Sequence, residues 1–271
     1  ACPIRMRGRR SIAGRSEEII MQIEIAVLSK PGGRERNEDA CGYWTSEDAC
    51  CWVLSDGLGG HGGGDIASKL VVSTILHGFA AKPLVDGVNV TKLLDQANST
   101  VLQEQKAQPR IGDMRATAVV LAIDSKNASA IWGHVGDSRL YCYRSGQLAV
   151  QTRDHSVLQG LADACKIDSE SLRGNPQRNV LLSAVGSDEE YRPTVSEQPM
   201  LIRADDVFLL CSDGLWEYVD ESMMLRMLAA SSTLQEWLVK METELLQRAS
   251  KGHDNYSALA VRLSEDCSGN P

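Results

Sequence analysis

Two aspartates sit in nearly the same five-residue frame, Leu54-Ser55-Asp56-Gly57-Leu58 and Cys211-Ser212-Asp213-Gly214-Leu215. Each frame closes a short apolar run, Cys50 to Leu54 and Val207 to Cys211. Apolar runs of that length ending in a turn signal read as buried strands. Each carboxylate therefore stands where a rigid strand stops. Six of the eight residues after Asp56 are glycine, which permits positive φ and close backbone approach. Such a site offers hard oxygen donors, open backbone carbonyls and little side-chain bulk, which suits Mg²⁺ or Mn²⁺. A lone Asp-Gly is only a turn signal. Its recurrence after two strands makes a candidate site.

Three further acidic positions fall at turns or strand ends: Glu38-Asp39, Asp137 in Gly136-Asp137-Ser138-Arg139, and Asp254 before Asn255. Carboxylates gathered this way repel one another unless cations lie between them. Two ions sharing one carboxylate would acidify a water and make it a nucleophile near neutral pH. The chemistry these residue types allow is metal-assisted hydrolysis.

The elements that must position them follow from periodicity. Gln22 to Ser29 alternates as a half-buried strand, and Pro31-Gly32-Gly33 breaks it. A hairpin of 41–44 with 50–54 would bring Glu38 and Asp39 near Asp56. Residues 67–81 and 90–106 carry apolar stripes at helical spacing, with Asn89 or Thr91 as cap. Strands are expected over 116–124, 128–135 and 138–144, and a helix from Asp154 through Ala164. Residues 165–180 read as a mobile loop or small lid. Strands at 180–183 and 195–202, helices at 216–230 and 233–250, and a strand at 256–263 complete the order.

In order along the chain, the motifs are Arg34-x3-Glu38-Asp39, Asp56-Gly57-x-Gly59-Gly60-His61, Gly136-Asp137-Ser138-Arg139, Ser212-Asp213-Gly214 and Asp254-Asn255. Together they resemble the metal-dependent protein phosphatases of the 2C type, and with Arg153-Asp154-His155-Ser156 the compact bacterial single-domain members. The resemblance implies an α+β fold, a four-layer sandwich of two stacked antiparallel β-sheets flanked by helices. It implies hydrolysis of phosphoserine and phosphothreonine in proteins with two Mn²⁺ or Mg²⁺ ions, plus a third, weaker one. Asp56 would bridge the two core ions. Asp213 and Asp254 would complete the first, and Glu38 with the Gly57 carbonyl the second. Asp137, with Asp213, would hold the third. Asp39 would orient bound water from just outside the ligand set, where Asn255 also stands, and Arg34 would grip the substrate phosphate. Arg36 competes for that task, Asp137 could instead pin its turn, and His155 reads as a support for its loop. Some relatives carry a histidine, a proposed general acid, where this chain has Leu58. Relatives often carry Gly and His where Cys165 and Asn175 stand. The alternatives are a catalytically dead scaffold and a phosphatase of small monoesters.

The chain has 271 residues, 43% hydrophobic and 24% charged, with net charge −8. That balance argues against nucleic acid as a partner. No apolar run approaches the roughly 20 residues of a transmembrane helix. Residues 1–20 carry five Arg and two Glu and read as a basic, disordered extension. Residues 21–265 form the catalytic domain and 266–271 a loose tail. Eight cysteines without a CxxC pair suit a reducing cytosol. The expected setting is a cytoplasmic monomer that acts on phosphorylated proteins, away from membranes. There it would oppose a Ser/Thr kinase in signalling; some relatives reverse kinases that switch type VI secretion.

Overall fold

The computed structural model describes residues 4–12, 15–59, 63–165, 173, 175, 177 and 179–265. The chain begins with β1 (Ile4–Ile12), β2 (Arg15–Lys30), β3 (Ala40–Thr45), β4 (Ala49–Ser55) and β5 (Gly57–Leu58). Two helices follow, α1 (Gly64–Ala81) and α2 (Gly87–Ala107). Next come β6 (Arg115–Ala116), β7 (Ala118–Asp124), β8 (Ser129–Val135), β9 (Arg139–Arg144) and β10 (Gln147–Gln151). After α3 (Val157–Asp163) come β11 (Thr194–Val195), β12 (Met200–Leu201) and β13 (Val207–Cys211). Helices α4 (Asp213–Trp216), α5 (Glu221–Ala229) and α6 (Leu234–Arg248) lead to β14 (Tyr256–Glu265).

Alternation along the strands decides the layers. One antiparallel sheet runs β1-β2-β14-β13-β9-β10 and the other β11-β8-β7-β4-β3, with β12 also on β8. Trp52, Leu54 and Leu121 from the second sheet pack against Leu140, Phe208, Leu210 and Val261 from the first. The intervening residues Cys51, Val53 and Val120 face away, toward α1 and α2. On the other outer face Leu209, Cys211 and Ala258 meet Trp237, Leu238 and Met241 of α6. The result is the expected four-layer α+β sandwich. Trp52 is fully buried at its centre, where truncation to Ala costs about 3–5 kcal/mol.

Several details differ from the sequence reading. Asp86, not Asn89 or Thr91, caps α2, accepting from Asn89 N at 2.7 Å. The helix expected over 216–230 is two helices, because Asp220 caps a new start at α5 through Met223 N, at 2.8 Å. At 180–183 the only pairing is a single bridge from Leu181 to Ser156, and 195–202 yields two-residue strands. Within the basic head, β1 pairs antiparallel with β2, with Arg9 opposite Glu18 and Arg10 opposite Glu17 in the register. The expected tail after Glu265, and most of the expected lid, lie outside the described residues. Among the described residues no helix is long and apolar enough to cross a membrane.

Candidate active site

The β3–β4 hairpin pairs Ala40 with Ser55. Asp39 and Asp56 therefore lie side by side just beyond the paired ends, as the hairpin expectation required. Burial first, then the charges of Asp39, Asp213, Asp137 and Asp254, pushes Asp56 well above the ordinary carboxylate range. Asp39 is buried too and is raised to about 6, chiefly by burial. Its Oδ2 accepts from Ser212 Oγ at 2.8 Å. Its Oδ1 is buried with no donor on it.

The second Ser-Asp-Gly turn meets the first from the other sheet. β13 ends at Cys211, paired with Ala258 of β14, so Asp213 and Asp254 leave neighbouring strand ends. Ser212 Oγ also accepts from Ser257 N at 2.9 Å, which ties the two ends together. A Cβ on Gly214 would sit 2.0 Å from the Asn255 carbonyl oxygen, so only glycine allows this approach. The Asp213 carboxyl is raised to about 7, by burial and then by Asp254 and Asp39.

Glu38 and Gly57 converge on the start of α1. A Cβ on Gly64 would lie 2.6 Å from Glu38 Oε2 and 2.9 Å from the Gly57 carbonyl oxygen. The two donors expected for the second ion therefore lie about one point. Burial, then Asp65 and Asp254, raises Glu38. Asn255 fixes this loop: its Oδ1 accepts from Glu38 N at 2.7 Å, and its Nδ2 donates to the carbonyls of Pro31 and Arg36, each at 2.8 Å. Arg34 Nη2 reaches Asp254 Oδ2 at 3.0 Å. Arg34, Arg36, Glu38, Asp254 and Asn255 line one open cleft of about 430 Å³.

Asp137 is buried and is raised well above the usual range by burial, then by Asp213 and Asp154. Its backbone is held from outside: Trp216 Nε1 donates to its carbonyl at 2.9 Å. Trp216 in turn lies under the Arg139 guanidinium, 3.6 Å from the ring centroid. His155 supports this turn, as its loop position suggested: Gly136 N donates to its Nδ1 at 3.2 Å. Leu58 offers no proton, and His61 lies outside the described residues.

The donor set fits hard divalent cations. It is all oxygen, and its buried carboxylates press on one another. Asp39 Oδ1 has no protein donor, and positions 57 and 64 admit no side chain. Among the described residues no three His, Cys, Asp or Glu side chains are disposed to hold one ion together. Asp56 is instead the carboxyl on which Asp39, Asp213, Asp137 and Asp254 all bear electrostatically. The sequence reading passed over Thr117 and named Ser212 only as part of its motif; their hydroxyls brace Asp56 and Asp39. A lone hydroxyl inside the apolar run Ala116 to Val120 was the signal for the first.

The sequence matches the protein phosphatase 2C family over residues 32–253. It is 32% identical over 199 residues to the serine/threonine protein phosphatase PstP of Mycobacterium tuberculosis, covering 72% of this chain and 36% of that protein. The chain thus spans about a third of that relative's length. The catalytic domain of PstP in complex with two manganese ions superposes with a TM-score of 0.76 at 27% identity, over 90% of this chain and 99% of that one. PppA, a key regulatory component of T6SS in Pseudomonas aeruginosa, superposes with a TM-score of 0.70 at 31% identity, over 89% and 97%. With the two Ser-Asp-Gly turns brought together across the two sheets, this agreement places the chain in the protein phosphatase 2C family.

Proposed function

We propose that the chain is a metal-dependent phosphatase that hydrolyses phosphoserine and phosphothreonine in proteins. The observation that carries this is one cleft holding both halves of the chemistry. Arg34, Glu38 and Asp254 line it together, and Asp254 bears on the half-buried Asp56 and Asp213. Asp56, Asp213 and Asp254 would hold one ion, Asp56, Glu38 and the Gly57 carbonyl the other, and Asp137 a third; the three aspartates of the first set would have to draw together on loading, since among the described residues no three such side chains surround one point. Bound there, two Mn²⁺ or Mg²⁺ ions supply Lewis acidity, neutralising phosphoryl charge and lowering the pKa of water.

The protein's own part is positioning. Arg34 presents a planar fork that matches two phosphate oxygens. Asn255 clamps the loop that carries it. Asp39, held by Ser212, orients what lies against Asp56. Leu58 contributes no acid, so the leaving group takes its proton from elsewhere in the cleft.

The physiological partner of such an activity is a Ser/Thr kinase whose products this enzyme removes, acting in the cytoplasm as a monomer. A phosphothreonine peptide and p-nitrophenyl phosphate, each assayed with and without Mn²⁺, test the reading. Mn²⁺-dependent turnover of the peptide is expected. No turnover of either substrate marks a dead scaffold, and turnover of the small ester alone marks a small-molecule phosphatase.

A further inference from the structure

The ladder between the strands that carry Asp56 contains an irregularity. β4 pairs Leu54 with Val119, and β5 pairs Gly57 with Ala116. The register is continuous, so Asp56 faces Thr117. A regular antiparallel pair there would exchange two backbone hydrogen bonds. Only one forms, Thr117 N to Asp56 O at 2.8 Å. The other is replaced by side chains. Ser55 Oγ donates to the Thr117 carbonyl at 2.6 Å. Asp56 N donates to Thr117 Oγ1 at 2.9 Å.

The same hydroxyl reaches further. Thr117 Oγ1 lies 2.6 Å from Ser138 Oγ, beside Asp137. Its methyl packs on the turn before that residue. Gly136 has φ +94°, and a Cβ there would be 2.7 Å from Thr117 Cγ2. Thr117, Ser55 and Ser138 are all fully buried, so water does not substitute for any of these bonds. One threonine hydroxyl thus touches the backbone of Asp56 and the turn that presents Asp137.

We infer that Thr117 is a positioning residue. Its hydroxyl takes the Asp56 N–H away from the strand ladder, sets the Asp56 carboxyl in the cleft, and locks that carboxyl to the Asp137 turn. This rests on the metal reading of the site. Removing a group that orients a ligand from behind typically costs roughly 10- to 100-fold in metal affinity or activity.

The test is Mn²⁺ binding by titration calorimetry on the full chain, alongside kcat and KM on a phosphopeptide and the metal-free Tm. Thr117→Val keeps the shape and removes the hydroxyl. It should weaken Mn²⁺ binding and lower kcat by roughly 10-fold or more, with KM little changed. Thr117→Ser restores the hydroxyl and should recover most of the Mn²⁺ affinity. A serine variant as poor as the valine one would show that the hydroxyl alone does not set the affinity, and would overturn the inference. A folded Thr117→Val protein with wild-type Mn²⁺ affinity would overturn it as well. If Thr117→Val does not fold, Ser138→Ala decides. It should weaken Mn²⁺ binding in the same direction, and a wild-type isotherm would reject the coupling. Wild-type protein that takes up no Mn²⁺ would sink the metal reading and this inference together. Normal wild-type uptake left untouched by Thr117→Val would sink this one alone.

Discussion

Arg34 and Asp254 form an ion pair, Nη2 to Oδ2 at 3.0 Å, between the residue expected to grip phosphate and one expected to hold an ion. Both side chains are about half exposed, 56% and 41%, so the pair itself adds little stability. Its interest is positional. Asp254 Oδ1 accepts from Asn255 N at 2.8 Å, which leaves Oδ2 as the oxygen that Arg34 and a cation would contest.

If the guanidinium serves substrate phosphate, Arg34→Ala should raise KM while kcat and Mn²⁺ affinity hold. A loss of about 1.5–3 kcal/mol in kcat/KM is the scale of a charge-assisted hydrogen bond. Arg36 lines the same cleft, and Arg36→Ala should have the smaller effect. Steady-state kinetics on one phosphopeptide compares them. A larger KM change in Arg36→Ala would move the assignment along the loop.

Activity should require added Mn²⁺ or Mg²⁺ and vanish with EDTA. Asp56→Asn should abolish turnover, because Asp56 is the carboxyl on which Asp39, Asp213, Asp137 and Asp254 all bear. Asp213→Asn and Asp254→Asn should also cripple it. Full activity in a chelated, metal-free sample would contradict the two-ion reading.

The same carboxyls give the metal-free protein a signed pH dependence. Asp39 is raised from 3.8 to about 6 and Asp213 from 3.8 to about 7. Each binds its proton more tightly folded than unfolded. Their contribution is therefore complete below the unfolded value and is lost as pH climbs through the folded values. The Tm of metal-free protein should fall between about pH 4 and about pH 7, and Asp213→Asn should flatten that slope. Mn²⁺ binds the deprotonated form, so its stabilising effect should grow over the same interval. A slope identical in Asp213→Asn would reject the assignment.

Much of the scaffold was legible in the chain. Strand ends bearing Asp-Gly, the 39–56 hairpin and both α1 and α2 follow from apolar runs and turn chemistry. Local periodicity does not reveal which hydroxyl replaces a carbonyl in a ladder, so Thr117 looked like one more strand residue. The break at Asp220 is a cap competing with continuing helical periodicity, and the cap wins through Met223 N. The Arg-rich head looked featureless because its pairing is set by register with β2, not by its own pattern.

That register makes the head removable. β14 pairs with β2 only from Met21 to Lys30, and β1 pairs with β2 only from Arg15 to Ile23. Deleting residues 1–20 removes β1 together with the part of β2 that has no other strand partner. A chain starting at Met21 should keep its Tm and its kcat/KM on a peptide. A marked fall in Tm would show that the ribbon packs on the domain.

Asp137 separates two roles that predict different measurements. A turn-pinning aspartate would spend its carboxylate on neighbouring backbone. Here the turn is held by other groups: His155 on Gly136, Thr117 on Ser138, and Trp216 on the Asp137 carbonyl. None of these three bonds uses the Asp137 carboxylate. It is buried and pressed by Asp213, which favours a cation over a turn as its task. With fewer protein carboxylates than the core pair, such an ion would be held more weakly. Asp137→Ala should leave the two tight Mn²⁺ sites in calorimetry unchanged. Its activity should drop, and its Mn²⁺ activation curve should lose the weak, high-concentration phase. If Asp137 only pinned the turn, the mutant would lose about 1–2 kcal/mol of stability, the scale of a lost cap, and keep the wild-type activation curve. Tm and the Mn²⁺ activation curve measured on the same preparation decide between them. An unchanged curve would remove Asp137 from the metal ligands, and a lost weak phase with Tm intact would keep it there.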